Sequence, residues 1–360
     1  MNPKIDGFVS KAEFDEHSGT IIIFPERRDI WRDNAKPAQE LIINLANEII
    51  KREEVFFCVK KNLLSLIENR LDKRIRVIEI DYDDIWARDI APNFVVKDKE
   101  IRAVCWNFNS WGGIEEGAYF PWYKDRNFAS IFCSSIGIKT YNIDEIVLEG
   151  GAVVTDGEGT LITTKAVLLN KNRNPNKTQE EVERYLKNYF AVDKVIWLEE
   201  GLFLDETSGH VDNVCNFIRP AELCLTWTND QSCPQYEVSK KAYDMLSGMS
   251  DAKGRKFIIH KIPMPTAQFI SKEDAAGIVH SEKSRNRVEG FQLVPSYINF
   301  YFINGAVILP AFNCKEDVDA IGIFRKLLPE REVIQIYSKE ILIGGGGFHC
   351  ILHEIPTPNK

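Results

Sequence analysis

The sequence is short of long apolar runs, of clustered basic residues and of paired cysteines, and each shortage removes a class of function. Its uninterrupted apolar runs, such as 21–25 and 306–312, end after a few residues, far below the roughly 20 that a membrane-spanning helix needs. The first residues, Met1-Asn2-Pro3-Lys4-Ile5-Asp6, open no apolar stretch of signal-peptide length. A cytoplasmic protein with no membrane partner is expected. Lys and Arg number 45 against 53 Asp and Glu, giving a net charge of −8. The basic residues are scattered, whereas a phosphate backbone calls for a concentrated basic face, so no nucleic acid partner is expected. The eight cysteines, at 58, 105, 133, 215, 224, 233, 314 and 350, include no CxxC pair. Without a signal segment they are expected to stay reduced. One cysteine at 350 with histidines at 349 and 353 is a poor zinc signature, and no metal is expected.

What is present is an ordinary globular balance, 44% hydrophobic and 27% charged over 360 residues, enough for a large core. Apolar runs that read as strands fall at 20–24, 55–59, 75–80, 94–96, 101–106, 152–155, 160–164 and 195–197. They resume at 214–218, 223–226, 257–262, 297–303, 306–309 and 333–336. Helical periodicity covers 37–51, 62–70, 124–135, 178–189, 236–247 and 315–328. In the last of these Val318, Ile321, Phe324 and Leu328 share one face. Asp156-Gly157 and Asn304-Gly305 mark two hairpin turns. Strands alternate with helices from end to end, which predicts an α/β fold. No linker or composition shift divides the chain, so one domain over 1–360 is expected. The charged, aperiodic stretch 271–289 is a candidate surface insertion or lid.

Four polar clusters stand beside these strands. Asp81 to Asp89 sets four carboxylates around Trp86. It is either a solvated turn or a cation site in which a guanidinium stacks on the indole while carboxylates accept its N–H groups. Glu149-Gly150-Gly151 is a β-turn with an exposed acid, or a place where backbone approaches a ligand closely. Asp205 to Asn213 holds Glu206, His210 and Asp212; in extended structure His210 and Asp212 point the same way. Four glycines, Gly344 to Gly347, precede Phe348-His349-Cys350. They either present a reactive thiol or form a loose loop before a buried one. Together, a thiol, an imidazole and several carboxylates are what nucleophilic attack on an amidine carbon requires. Carboxylates grip the delocalised cation, the thiolate attacks, and an acid protonates the departing nitrogen.

These residues fall within a longer series of motifs. Glu16-His17-Ser18-Gly19-Thr20, Phe24-Pro25-Glu26-Arg27 with Trp31, and Asp84-Ile85-Trp86-Ala87-Arg88-Asp89 come first. Asn109-Ser110-Trp111-Gly112-Gly113, Glu149-Gly150-Gly151 and Leu169-Asn170-Lys171-Asn172-Arg173-Asn174-Pro175 follow. Gly209-His210-Val211-Asp212-Asn213, Ser296-Tyr297-Ile298-Asn299-Phe300-Tyr301 and the glycine run ending in His349-Cys350 complete the order. In this order, over nearly the whole chain, the sequence resembles the agmatine deiminase family of the guanidine-modifying (pentein) superfamily. The resemblance implies a five-bladed pseudo-symmetric α/β propeller with a central active site, and no metal or organic cofactor. It implies hydrolysis of agmatine to N-carbamoylputrescine and ammonia, and a homo-oligomer.

By the same resemblance Cys350 is the nucleophile, His210 the general acid and base, and Asp89 and Asp212 the guanidinium grips. Glu149 orients substrate and His210, and Trp86 walls the pocket. Glu206 or Asp205 is the candidate for the distal ammonium, and Gly347 a further substrate contact. The chain departs from the usual family pattern at Gly347-Phe348, Ala87 and Ser110, which bears on fine substrate preference. Two alternatives remain: a deiminase of free or peptidyl arginine, whose carboxylate Arg27, Arg28 or Arg88 would meet, and a non-catalytic pentein that only binds.

Overall fold

The computed structural model describes residues 2–359; Met1 and Lys360 lie outside it. The chain is α/β, as expected, and is built from several small sheets rather than one large one. In five of them a strand pairs antiparallel with a central strand, which then pairs parallel with a third. The central strands are His17–Ile23, Glu100–Asn107, Thr160–Thr164, Glu222–Trp227 and Ala306–Ala311. Their antiparallel and parallel partners follow one connectivity throughout. A parallel pair cannot be closed by a tight turn and needs a crossover. Each time it is a helix: Lys36–Ile49, Tyr123–Ile136, Gln179–Tyr189, Pro234–Gly248 and Glu316–Leu327. The first sheet takes its antiparallel strand, Leu352–Pro356, from the far end of the chain. That pairing brings residue 350 back beside the N-terminal strands.

Sequence patterning accounts for most of these elements. The helix Gln179–Tyr189 starts with a capping box, Thr178 accepting from the Glu181 N–H while Glu181 returns a bond to the Thr178 N–H. The Asn304-Gly305 turn closes the hairpin of Tyr301–Ile303 with Ala306–Ala311, with Gly305 at a φ of 72°.

Other elements differ from expectation for identifiable reasons. Residues 62–70, expected as one helix, form a 3-10 turn at Lys61–Leu63 and a single α turn at Leu64–Ile67. Lys139–Val147 is a nine-residue strand that the pattern hid. It pairs along one side only and leaves five of its polar residues at least partly in solvent, so little apolar alternation survives. Of 297–303 only Tyr301–Ile303 is strand; Tyr297 to Phe300 are buried non-strand residues, and just before them the Ser296 hydroxyl donates to the Asn213 carbonyl. All cysteines are free thiols. Among the described residues no helix is long and apolar enough to cross a membrane.

Candidate active site

Cys350 sits on a short helical turn, Phe348–Ile351. Each glycine before it answers a steric demand. Gly344 ends the helix Lys339–Gly344, and a Cβ there would stand 2.3 Å from the Trp31 ring. A Cβ on Gly346 would stand 2.5 Å from the Trp86 ring, and Gly345 turns the chain at a φ of 110°. The run therefore packs against two indoles and ends a helix instead of forming a loose loop. Gly347 is a correction: it does not face the pocket but packs against Asn299, whose Oδ1 would lie 2.3 Å from its Cβ. Gly344 to Gly346 line the pocket in its place, with Trp86, Trp111, Asp89, Glu206 and Cys350.

The Asp81–Asp89 run is not a solvated turn. Asp84 is buried and accepts from both the Trp31 and Trp86 indoles, at 2.9 and 2.8 Å. Burial pushes its carboxyl up to about 6, against the opposing Arg27 charge and the two indole bonds. Asp89 receives the Trp111 indole at 2.8 Å and the Gly151 N–H at 2.9 Å. Burial and the neighbouring carboxylates lift it to about 6 against the pull of His210. Trp86 and Trp111 meet edge to face, with ring centroids 6.1 Å apart.

Gly151 is where the second and third clusters converge. A Cβ built on it would lie 2.6 Å from His210 Nδ1, 2.9 Å from Asp212 Oδ2 and 3.0 Å from Asp89 Oδ1. Side chains from two segments far from residue 151 in sequence thus crowd one backbone position that only glycine leaves open. The extended geometry expected for 210–212 is wrong, because Val211–Asn213 is a 3-10 turn; packing, not alternation, brings His210 and Asp212 together. His210 lies 3.9 Å from Asp89 and 3.8 Å from Glu149. These carboxylates overcome burial and raise its pKa to about 9. Glu149 is pulled the other way, to about 2, because Arg173 and His210 outweigh its burial. Arg173 donates to Glu149 at 2.8 Å and to the Thr207 carbonyl at 2.9 Å, tying the two loops together. Among the described residues Glu149 Oε2, Asp212 Oδ1 and both His210 nitrogens are buried without a hydrogen-bond partner. Native proteins seldom leave such groups idle outside a ligand site.

The Cys350 sulfur takes a hydrogen bond from Asn299 Nδ2 at 3.2 Å and lies 3.9 Å from Asp212 Oδ2. Burial and the Asp212 and Asp89 charges push its thiol well above the usual range, opposed by the Gly347 backbone and Asn299. Asn299 also bonds Asn213 at 3.0 Å and accepts from the His349 N–H at 3.0 Å. Cys350, His210, Glu149, Asp89 and Asp212 therefore meet at one buried place, with Trp86 as a wall.

Of the two candidates for the distal ammonium, only Glu206 is at the pocket. Asp205 is not at the pocket: its oxygens accept from the Thr207 and His210 N–H groups and from the Asn213 amide, holding its own loop. Glu206 does line the pocket but already pairs with Arg287, with Arg285 3.6 Å away. Arg88 is not available to a substrate carboxylate, since it pairs with Glu13 at 3.0 Å and Glu354 at 2.8 Å. Arg27 pairs with Asp29.

Arg285 and Arg287, from the stretch expected as an insertion or lid, are functional neighbours that the sequence did not flag. Asn299, Trp111 and Arg173 were missed as well, although each stands inside one of the ordered motifs; membership there was their only signal.

Residues 9–356 match the family model described as Porphyromonas-type peptidyl-arginine deiminase. An agmatine deiminase of Pseudomonas aeruginosa (strain UCBPP-PA14) is 44% identical over 99% of this chain and 98% of its own length. One from Ectopseudomonas mendocina (strain ymp) is 44% identical over 99% and 97%. Among solved structures, agmatine deiminase of Enterococcus faecalis superposes with a TM-score of 0.95 at 37% identity, covering 99% of this chain and 98% of that one. With the family model spanning almost every residue and identities this high over full length, the chain belongs to the Porphyromonas-type peptidyl-arginine deiminase family, alongside proteins named agmatine deiminase.

Proposed function

We propose that the protein is an agmatine deiminase, converting agmatine and water to N-carbamoylputrescine and ammonia within one catalytic domain over 1–360. The observation that carries this is a buried cluster of His210, Glu149, Asp212 and Asp89 beside the Cys350 thiol, with Cys350 and Asp89 opening onto a pocket walled by Trp86 and Trp111. Full-length identity to proteins named agmatine deiminase supports the choice of substrate. The five sheets of common connectivity support a five-bladed arrangement about that site.

The chemistry follows from the geometry. Agmatine's guanidinium enters beside Trp86, and Asp89 and Asp212 accept its N–H groups. Its positive charge offsets the carboxylates that oppose ionisation of Cys350, so the thiolate forms beside its target. Attack of sulfur on the guanidinium carbon gives a tetrahedral adduct. The carbon–nitrogen bond breaks as His210, cationic near neutral pH, gives its proton to the departing ammonia. The covalent S-alkylthiouronium that remains is opened by water. His210 takes one proton from that water as the new carbon–oxygen bond forms, and the sulfur leaves as thiolate while the adduct's hydroxyl gives its proton to solvent to leave the neutral urea. Glu149, anionic and fixed by Arg173, orients His210 and the substrate. Glu206 receives the distal ammonium, sharing its carboxylate with Arg287.

Ammonia release measured with agmatine and with free arginine tests the substrate. Turnover of agmatine with a kcat/KM well above that of arginine is expected; equal or faster release from arginine would overturn the choice. Arg285 and Arg287 at the same pocket give the arginine alternative its one structural foothold. Glu206 offsets one of these two charges and leaves one, so the preference for agmatine rests on the full-length identity to proteins named agmatine deiminase.

The pH profile has a definite sign. Activity climbs with pH while Cys350 ionises and falls as His210 loses its proton through about 9. A bell in kcat, which reports the substrate complex where the guanidinium favours the thiolate, is expected with its alkaline limb near that value. A rate that stays flat from neutral to pH 10 would remove His210 as the acid.

A further inference from the structure

His349, next to the thiol-bearing residue, is the most heavily engaged group at the site that the reaction does not use. It is 2% exposed, and both ring nitrogens are spent on carboxylates. Nδ1 lies 2.8 Å from Asp212 Oδ2 and Nε2 lies 2.6 Å from Glu13 Oε2. Behind it a chain of buried charges continues from Glu13 to Arg88 at 3.0 Å and from Arg88 to Glu354 at 2.8 Å. His349, Glu13, Arg88 and Glu354 line a second cavity, which shares no lining residue with the pocket that holds Cys350. With both nitrogens held by carboxylates, the imidazole is placed to act through Asp212 rather than on the substrate.

The bond it makes is selective. It occupies Oδ2 of Asp212, the oxygen 3.9 Å from the Cys350 sulfur, and leaves Oδ1 buried and unpartnered among the described residues. We propose that His349 is a positioning residue: it fixes Asp212 so that Oδ1 faces the guanidinium, and it sets positive charge against the oxygen nearest the nucleophile. The proposal rests on the deiminase reading of the same site.

Several charged or titratable groups face this ring: Glu13, Asp212, Arg88, Glu354, His353 and Cys350. Burial and the Arg88 charge oppose its protonation, but Glu13 and Asp212 outweigh them and hold it at about 9. Below that pH Asp212 is paired with a cation rather than with a neutral donor. An unpaired Asp212 carboxylate would act fully on the thiol, and like charge disfavours the thiolate.

Two variants and two readouts test this. His349→Ala removes donor and charge together. His349→Asn leaves an amide donor where Nδ1 stood, without the charge or the tie to Glu13. The first readout is kcat for ammonia release from agmatine. The second is the pH dependence of Cys350 alkylation by iodoacetamide, followed on the Cys350 peptide by mass, which reports the thiolate without needing turnover. Circular dichroism melts confirm that the variants are folded. His349→Ala is expected to lose kcat by about 100-fold, and His349→Asn to recover about tenfold of that. The alkylation profile should move up by about 1 pH unit in both variants, because neither restores the charge. An unchanged kcat in folded His349→Ala, or an alkylation profile that overlays the wild type, overturns the proposal. Wild-type protein that releases no ammonia from agmatine would instead sink the deiminase reading, while the alkylation profiles still report on His349.

Discussion

Replacing Cys350 with serine is expected to abolish ammonia release from agmatine, with kcat falling by at least about 10⁴-fold, while the protein stays folded. The loss is chemical. The guanidinium carbon is a delocalised, weak electrophile, and the attacking group must be an anion. A serine hydroxyl in a site already ringed by Asp89, Asp212 and Glu149 has no means of ionising near neutral pH. Stability should barely move. The side chains are close in size, and the hydroxyl inherits the Asn299 amide as donor and Asp212 as a nearby acceptor. A change within about 1 kcal/mol is expected in denaturant titrations. A folded Cys350→Ser protein that turns over agmatine at wild-type rate would end the covalent mechanism. A wild-type protein that binds agmatine without releasing ammonia would favour the non-catalytic alternative.

Gly151→Ala should lower kcat/KM by about 100-fold although residue 151 contributes no side chain to the reaction. The added methyl would occupy the point on which His210 Nδ1, Asp212 Oδ2 and Asp89 Oδ1 converge, at 2.6, 2.9 and 3.0 Å. None of the three can yield freely. Asp89 is tied to the Trp111 indole, Asp212 to His349, and His210 is held by its backbone bond to Asp205. The cluster must spread by some tenths of an ångström, and misplacement approaching 1 Å costs about 100-fold in rate. Overpacking should also cost about 1–3 kcal/mol of stability. Gly322→Ala is the control. That glycine lies inside the helix Glu316–Leu327 and its Cβ would meet nothing within 4 Å. It should stabilise the protein by about 0.5–1 kcal/mol with unchanged kinetics. Equal kinetics for Gly151→Ala and wild type would mean that the crowding at residue 151 has no bearing on catalysis.

The amino-acid sequence by itself determined the elements and the cast. Apolar alternation and turn chemistry marked nearly all the central strands and their crossover helices, because those segments bury one face or both and leave a period to read. Ordered motifs named Cys350, His210, Glu149, Asp89, Asp212 and Trp86, and gave order to residues that no local pattern would connect. Elements without a period stayed hidden. Lys139–Val147 is a half-exposed edge strand, and Leu352–Pro356 is legible only through the partner it finds at the other end of the chain.

What each polar group does was decided by tertiary structure, since charge, burial and partners come from residues far away in sequence. Asp84 and Asp89 stand five positions apart in one acidic run, yet one holds two indoles and the other faces the pocket. Asp205 and Glu206 are neighbours, yet the first binds its own loop and the second meets Arg287, 81 residues on. Even the glycine run, the strongest local signal, gained its meaning only from the tryptophans that press against it.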